Sequence, residues 1–224
     1  MKILSIDIGV NNLSYCVLDG TGKIESGLWD NMSILQDNLN LKCCGKKKDG
    51  NICGKRCKFF KTGNIVEGFC SVHKCDNAVE IKKRKVKSVT IQELNTKLVK
   101  KMDSMPQLSD IDIVLIEQQP SKNPTMKNLS FMLNSYFIIR GMIDKQRIQK
   151  VIFVSAKNKL KGKVEKDKIK TYKERKKMSI EICRTTLNDK NAELIAFFDG
   201  HFKKDDLADC FLQGMFYIEQ FVKK

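Results

Sequence analysis

No run of apolar residues in the 224-residue chain approaches the roughly 20 needed to cross a bilayer. The N-terminus has none of the basic end, long apolar core or small-residue cleavage site of a secretory signal. A soluble, non-secreted protein is therefore expected. No internal repeat is visible, which speaks against a solenoid or propeller. Acid is in short supply: 26 Asp and Glu stand against 42 Lys and Arg, a formal net charge of +16. That surplus is clustered along the chain and implies a polyanionic partner, most simply nucleic acid. The apolar fraction, 42%, is ordinary for a globular protein. The length suits one α/β domain with an insertion, or two small domains.

Cysteine is plentiful, with nine residues, six of them at 43, 44, 53, 57, 70 and 75. In a non-secreted chain such a cluster suggests metal before disulfides. Cys16, Cys183 and Cys210 stand alone among apolar residues and read as small core side chains.

KILSIDIG (2–9), LSYCVLD (13–19) and KIESGLWD (23–30) predict three strands of a meander, with DGTG (19–22) turning between the second and third. The stretch from 41 to 76 has neither helical nor strand periodicity and reads as an inserted module. Ile91, Leu94, Leu98 and Met102 predict an amphipathic helix over 86–102. IDIVLIEQQP (111–120) predicts a buried strand ending at Glu117. Met126, Leu129, Met132, Leu133, Tyr136, Ile139 and Ile143 predict a helix over 125–147, in which Phe131, Tyr136 and Phe137 read as core or dimer packing. VIFVSA (151–156) predicts another short strand. KNKLKGKVEKDKIKTYKERKK (157–177) carries eleven Lys or Arg against three acids and reads as a loop leading into a helix at 178–187. A last helix is expected over 205–221. The order argues an α/β mixed sheet flanked by helices.

Asp7 opposes the strand propensity of its surroundings and is costly to bury unless its charge is compensated. If the first and fourth strands are neighbours, Asp7 and Glu117 meet at their carboxyl ends, where ligands of open α/β sheets collect. Asp206 and Asp209, three apart, share one face of the last helix. Crowded carboxylates repel one another, and hard divalent cations, Mg²⁺ or Mn²⁺, relieve this. Two such ions about 3.5–4 Å apart would serve phosphodiester cleavage. Gly9 would let a substrate backbone come close.

With SIDIGVNNLSY (5–15), IEQQP (116–120), YKERKK (172–177) and KKDDLADCFLQG (203–214), the chain resembles the RuvC-type Holliday junction resolvases of the RNase H-like superfamily. It is most similar to the branch found in poxviruses, other large DNA viruses and fungal mitochondria. The resemblance spans nearly the whole chain outside 41–75. It implies an RNase H-like fold and metal-dependent, structure-selective nicking of four-way DNA junctions by a homodimer, in viral DNA recombination or replication. Asp7, Glu117, Asp206 and Asp209 would carry two metal ions. Lys177, or Lys176 in the neighbouring register, would lie beside the scissile phosphate, and Asp205 would be a neighbour of the ligands. The helix at 125–147 would offer the dimer interface. An actin-like or sugar-kinase ATPase shares the strand-and-DIG opening but needs a Gly-rich adenosine loop, and only Asp199-Gly200 offers itself. Two rival functions remain within reach of the motifs, a nuclease of flaps, loops or RNA–DNA hybrids and an inactive DNA-binding protein.

Within the insertion, Cys44, Cys53, Cys70 and His73 fit a structural zinc site ending in C-x-x-H, with Cys43, Cys57 and Cys75 as competing ligands. The segment resembles small zinc modules of large DNA viruses, and its lysines suggest an added DNA contact. Among the basic residues at 157–177, Lys157, Lys159, Lys161, Lys163, Lys173, Arg175 and Lys176 are expected to clamp DNA phosphates.

Overall fold

The computed structural model describes residues 1–36, 41–82, 86–161, 171–188 and 192–223. The chain forms two compact units. One joins Met1–Ile34 to Thr90–Lys224, and the other is Leu35–Val89. The module expected over 41–76 falls within the second. Among the described residues no helix is long and apolar enough to cross a membrane.

The larger unit opens with the expected meander, β1 (Lys2–Asp7), β2 (Leu13–Asp19) and β3 (Ile24–Met32), paired antiparallel. Strands β4 (Phe59–Thr62), β5 (Val66–Phe69) and β6 (Val79–Glu80) form the separate sheet of the smaller unit. The larger unit resumes with helix α1 (Ile91–Asp103), then β7 (Ile113–Glu117), helix α2 (Pro124–Tyr136) and β8 (Lys150–Val154). Its five strands lie in the order β3-β2-β1-β7-β8, with β7 parallel to both β1 and β8. Ile3, Leu4, Ser5 and Ile6 are all buried, as are Ile113 to Ile116, so β1 and β7 are covered on both faces. That is the environment their unbroken apolar runs require.

Helix α1 begins later than its periodicity suggests. Thr90 Oγ1 accepts a hydrogen bond from the Glu93 amide at 3.1 Å and caps the helix, while Val86–Ser88 form a separate 3₁₀ turn. The long helix expected over 125–147 is also divided. Asn123 caps α2 and Pro124 starts it, but from Phe137 to Asp144 the chain winds as a π-helix. The carbonyl of Gly141 there accepts hydrogen bonds from the amides of both Arg147 and Ile148. A side chain at Gly141 would collide with Ile148, so this close return needs glycine.

Helices α3 (Tyr172–Asn188), α4 (Ala192–Asp199) and α5 (Lys204–Phe221) complete the unit. Sequence periodicity missed α4, which is only two turns long. It also placed the start of α3 too late, since YKERKK is already helical. Every residue of α5 from Leu207 to Ile218 is buried except Asp209, which faces the cleft, the pattern of a helix enclosed on nearly all sides. It lies against β1 and β2 on one side and α3 on another. Gly214 permits this approach, because a Cβ there would strike Leu18. Cys16, Cys183 and Cys210 are core residues, as expected.

Trp29 anchors the outer edge of this core. Its ring stacks on Phe198 of α4 at 5.5 Å and tilts against Phe211 of α5 at 5.8 Å. Its Nε1 donates to the Leu207 carbonyl at 3.1 Å. Phe198→Ala should therefore lower unfolding free energy by about 3–5 kcal/mol. In urea titration this should appear as a lower midpoint with an unchanged slope.

Candidate active site and a cysteine–histidine cluster

The parallel register of β1 and β7 aligns Ile6 with Ile116. Asp7 and Glu117 therefore end adjacent strands at the same level, and their side chains turn to the same face. On that face α5 supplies Asp206 and Asp209 from its first two turns. The start of α5 is held in place by Ser14, whose hydroxyl donates to the Asp206 carbonyl at 2.8 Å. Deeper in the helix, Gln213 Nε2 donates to Ser5 Oγ at 3.1 Å and to the Ile6 carbonyl at 3.3 Å.

At the centre stands Lys159, from the 3₁₀ turn Ala156–Leu160 that follows β8. Only 4% of it is exposed. Its Nζ lies 3.1 Å from Glu117 Oε1, 3.3 Å from Asp209 Oδ2 and 3.7 Å from Asp7 Oδ1. Three carboxylates around one ammonium leave a formal charge of −2.

Burial raises the Asp7 carboxyl well above its ordinary range, and the neighbouring Glu117 reinforces this against the pull of Lys159. Burial pushes Glu117 upward as well, but the Asp7 hydrogen bond and the Lys159 ammonium outweigh it and keep Glu117 below its usual value. Asp209 is raised, chiefly by burial. Asp206 is raised by burial and by the adjacent Asp205 charge. Burial pulls the Lys159 ammonium down, but the three carboxylates outweigh it and hold the group well above its ordinary value.

These residues line a cleft of about 330 Å³ whose rim includes Asn12, Tyr172, Arg175, Lys176, Ser179 and Lys203. Lys203 Nζ lies 3.6 Å from Asp206. Lys176 pairs with Asp205, so Asp205 balances the rim cations beside the central group. Gly9 is explained by the turn after β1, because a Cβ there would lie 2.7 Å from the Asn12 carbonyl oxygen.

Several expectations change here. Lys159 is no surface clamp, since its ammonium is enclosed by the acids. Lys177 is exposed and lies off the cleft. Tyr172, Arg175, Lys176 and Ser179 follow the i, i+3, i+4, i+7 spacing of one face of α3, and 177 is out of phase with it. Lys157, Lys161 and Lys173 are exposed outside the lining, while Arg175 and Lys176 belong to it. Lys163 lies outside the described residues. The clue to Lys159 was its position a few residues beyond a strand parallel to the one ending in Glu117.

The smaller unit contains a second cluster. The ligand atoms of Cys43, Cys53, Cys70 and His73 all lie within 4.8 Å of one another. His73 Nδ1 is 3.5 Å from the sulfurs of both Cys43 and Cys70, and the Cys53 and Cys70 sulfurs are 4.0 Å apart. Tetrahedral zinc with ordinary bond lengths calls for S···N of about 3.6 Å and S···S of about 3.8 Å. The four donors thus fit that ion. Burial pushes the Cys70 thiol up, but backbone amides of His73 and Val72 pull it down to about 6.

The fourth member is Cys43, in place of the expected Cys44. Adjacent residues of an extended segment turn to opposite faces. Cys43 is buried, whereas Cys44 is exposed, with its sulfur on the Gly68 carbonyl at 3.3 Å. Cys57 is buried beside the cluster and Cys75 half-buried, both outside the set. Gly45 lets the chain pass close to His73, whose Cβ would be 2.6 Å from a side chain there.

Lys159→Met should destabilise the metal-free protein by about 3–5 kcal/mol near neutral pH, because it strands buried carboxylates. In the variant, Asp7 and Asp209 rise further above their unfolded values. The folded state then binds more protons than the unfolded state, and stability falls as pH rises. Denaturant titrations at pH 4.5 and 7.5 should show the deficit shrinking toward acid.

The sequence matches the family model described as Poxvirus A22 protein over residues 69–221. That span holds Glu117, Lys159, Asp206 and Asp209, and Asp7 precedes it. The uncharacterised protein L451 of Acanthamoeba polyphaga mimivirus is 34% identical, with all of this chain and 76% of the relative covered. The fold is similar to that of the fowlpox virus resolvase solved with substrate Holliday junction DNA. The TM-score is 0.51 at 16% identity, covering 98% of this chain and 97% of that one. It is similar also to the yeast mitochondrial Holliday junction resolvase Ydc2, with TM-score 0.51 at 17% identity, covering 96% and 78%.

Proposed function

The chain belongs to the poxvirus A22 protein family, and from that premise we propose a metal-dependent endonuclease that resolves four-way DNA junctions by paired nicks. The observation that carries this reading is the convergence of Asp7, Glu117 and Asp209 on Lys159 within a cleft rimmed by Arg175, Lys176 and Lys203. The two similar folds are named as Holliday junction resolvases, one bound to junction DNA.

The donor set suits a hard divalent cation. It consists of carboxylate oxygens alone, and the central trio carries two more negative charges than its lysine offsets. Asp7, Glu117, Asp206 and Asp209 would hold Mg²⁺ or Mn²⁺, two ions per site. When bound, such ions supply activation of a water and stabilisation of the leaving oxygen. The chain's own groups do the remainder. Lys159 keeps the acids converged. Arg175, Lys176 and Lys203 bind flanking phosphates and orient the strand across the cleft.

Two sites related by a dyad suit the symmetry of a four-way junction. Phe131, Ile139 and Ile143 are exposed along α2 and its π-helical continuation, and this apolar row supports a homodimer interface. Phe137 is buried and Tyr136 donates to Asp103, so these two serve the protomer itself. Viral DNA recombination and replication are the processes such an enzyme would serve.

Asp7→Asn, Glu117→Gln, Asp206→Asn and Asp209→Asn should each abolish cleavage of a four-way junction in Mg²⁺ and leave junction binding within about tenfold. Chelation should stop the wild-type reaction, and added Mg²⁺ or Mn²⁺ should restore it. Wild-type turnover by the Asp7 or Glu117 variant would refute the assignment of the site.

The cysteine–histidine cluster is assigned to one structural zinc ion. Purified protein should contain one zinc per chain by elemental analysis. Cys43→Ser should lose it, and Cys44→Ser should retain it.

A further inference from the structure

Between positions 42 and 58 stand six lysines and one arginine against a single acid, Asp49. The active-site reading makes no use of them. The backbone of this stretch is a two-stranded ribbon. Lys42 pairs with Arg56 and Lys46 with Ile52, both antiparallel. The Cys43 amide donates to the Lys55 carbonyl at 2.8 Å, the Gly54 amide to the Cys43 carbonyl at 3.0 Å and the Cys53 amide to the Gly45 carbonyl at 2.7 Å. The Gly50 amide closes the turn on the Lys47 carbonyl at 3.0 Å. Gly50 itself has φ +81, where other residues are strained.

This register sorts the ribbon into two faces. Cys43 and Cys53 turn inward to the metal-ligand cluster, and Gly45 faces His73 on the same side. By the period-two alternation of strands, Lys42, Lys46, Ile52 and Arg56 occupy the opposite face. Lys42, Lys46, Lys47, Lys48 and Lys55 are exposed. Ile52 is the one exposed large apolar side chain between 42 and 58. A protein-docking face would present a contiguous apolar patch, and this surface offers cations instead. Asp49, the only acid, spends a carboxylate oxygen on the Asn51 amide at 3.0 Å.

We propose that the ribbon at 42–56 is a second DNA-binding element, which grips duplex phosphates without reading sequence and is stiffened from behind by the cysteine–histidine cluster. A two-stranded ribbon has dimensions that DNA grooves accept, and lysines on long stems neutralise phosphates as point charges. Two cluster ligands, Cys43 and Cys53, sit on the ribbon's inner face, opposite Lys42 and Lys46. This inference stands apart from the junction-cleavage reading, since any duplex would be held.

The test is equilibrium binding of the full chain to a linear DNA duplex across a salt series. It compares wild type with a triple Lys42→Gln, Lys46→Gln, Lys48→Gln variant and with the matching triple Lys→Arg variant. Each phosphate contact contributes about 0.9 to the slope of log affinity against log salt. The Gln variant should therefore bind with a slope smaller by about 2–3, and the Arg variant should keep the wild-type slope. A wild-type slope and affinity in the Gln variant would overturn the proposal. So would equal losses in the Gln and Arg variants, which would show that side-chain shape and not charge is read. Loss of slope on duplex RNA alone, with duplex DNA unaffected, would also overturn it.

Discussion

Three acids with one lysine between them impose the constraint that organises the larger unit. Two parallel strands in register, β1 and β7, bring Asp7 and Glu117 to neighbouring positions, about 4.8 Å apart along the pairing direction. Placing like charges there inside a covered sheet is unfavourable unless a cation or a proton intervenes. The fold supplies the cation: Lys159 arrives from beyond β8, the strand next to β7. Buried pairs of this kind add little net stability, yet breaking one is costly. The arrangement is better understood as a preformed receptacle for positive charge.

Much of the remaining core serves to aim α5 at that receptacle. The helix must bring Asp209 within 3.3 Å of a buried ammonium, and its first turn would otherwise fray. Ser14 and Trp29 each donate to a carbonyl of that turn, and Gln213 anchors the helix to β1. Gly214 removes the side chain that would push it off β2. Every one of these contacts spans a large sequence separation, so the site exists only once the whole unit has closed.

The smaller unit follows a different economy. Among its described residues, one buried cluster consists of Cys43, Cys57 and Cys70, with Leu41, Cys53 and Ile81 packed against it. A cluster of thiols with so few large apolar side chains contributes little burial of its own. A metal ion held by Cys43, Cys53, Cys70 and His73 would add a cross-link between segments far apart in the sequence.

The meander, the buried strand ending at Glu117 and the α/β class were legible from local pattern, whereas the short strands β4 to β6 were not. Apolar runs mark covered strands, and an aspartate or glutamate that interrupts one is conspicuous because its burial has to be compensated. The cysteine cluster was legible for a similar reason, as a composition foreign to its surroundings. Three decisions were beyond local pattern. Lys159 looked like any lysine of a basic stretch until β8 placed it beside β7. Cys43 and Cys44 are indistinguishable until the pairing of 42–46 with 52–56 turns one inward. Lys176 and Lys177 differ only by the helical phase of α3 against the cleft. The sequence by itself determined which chemistries were present. Which neighbouring side chain performs each one was decided by strand register and helix phase, because a shift of one residue turns a side chain to the opposite face of a strand or through about 100° of a helix.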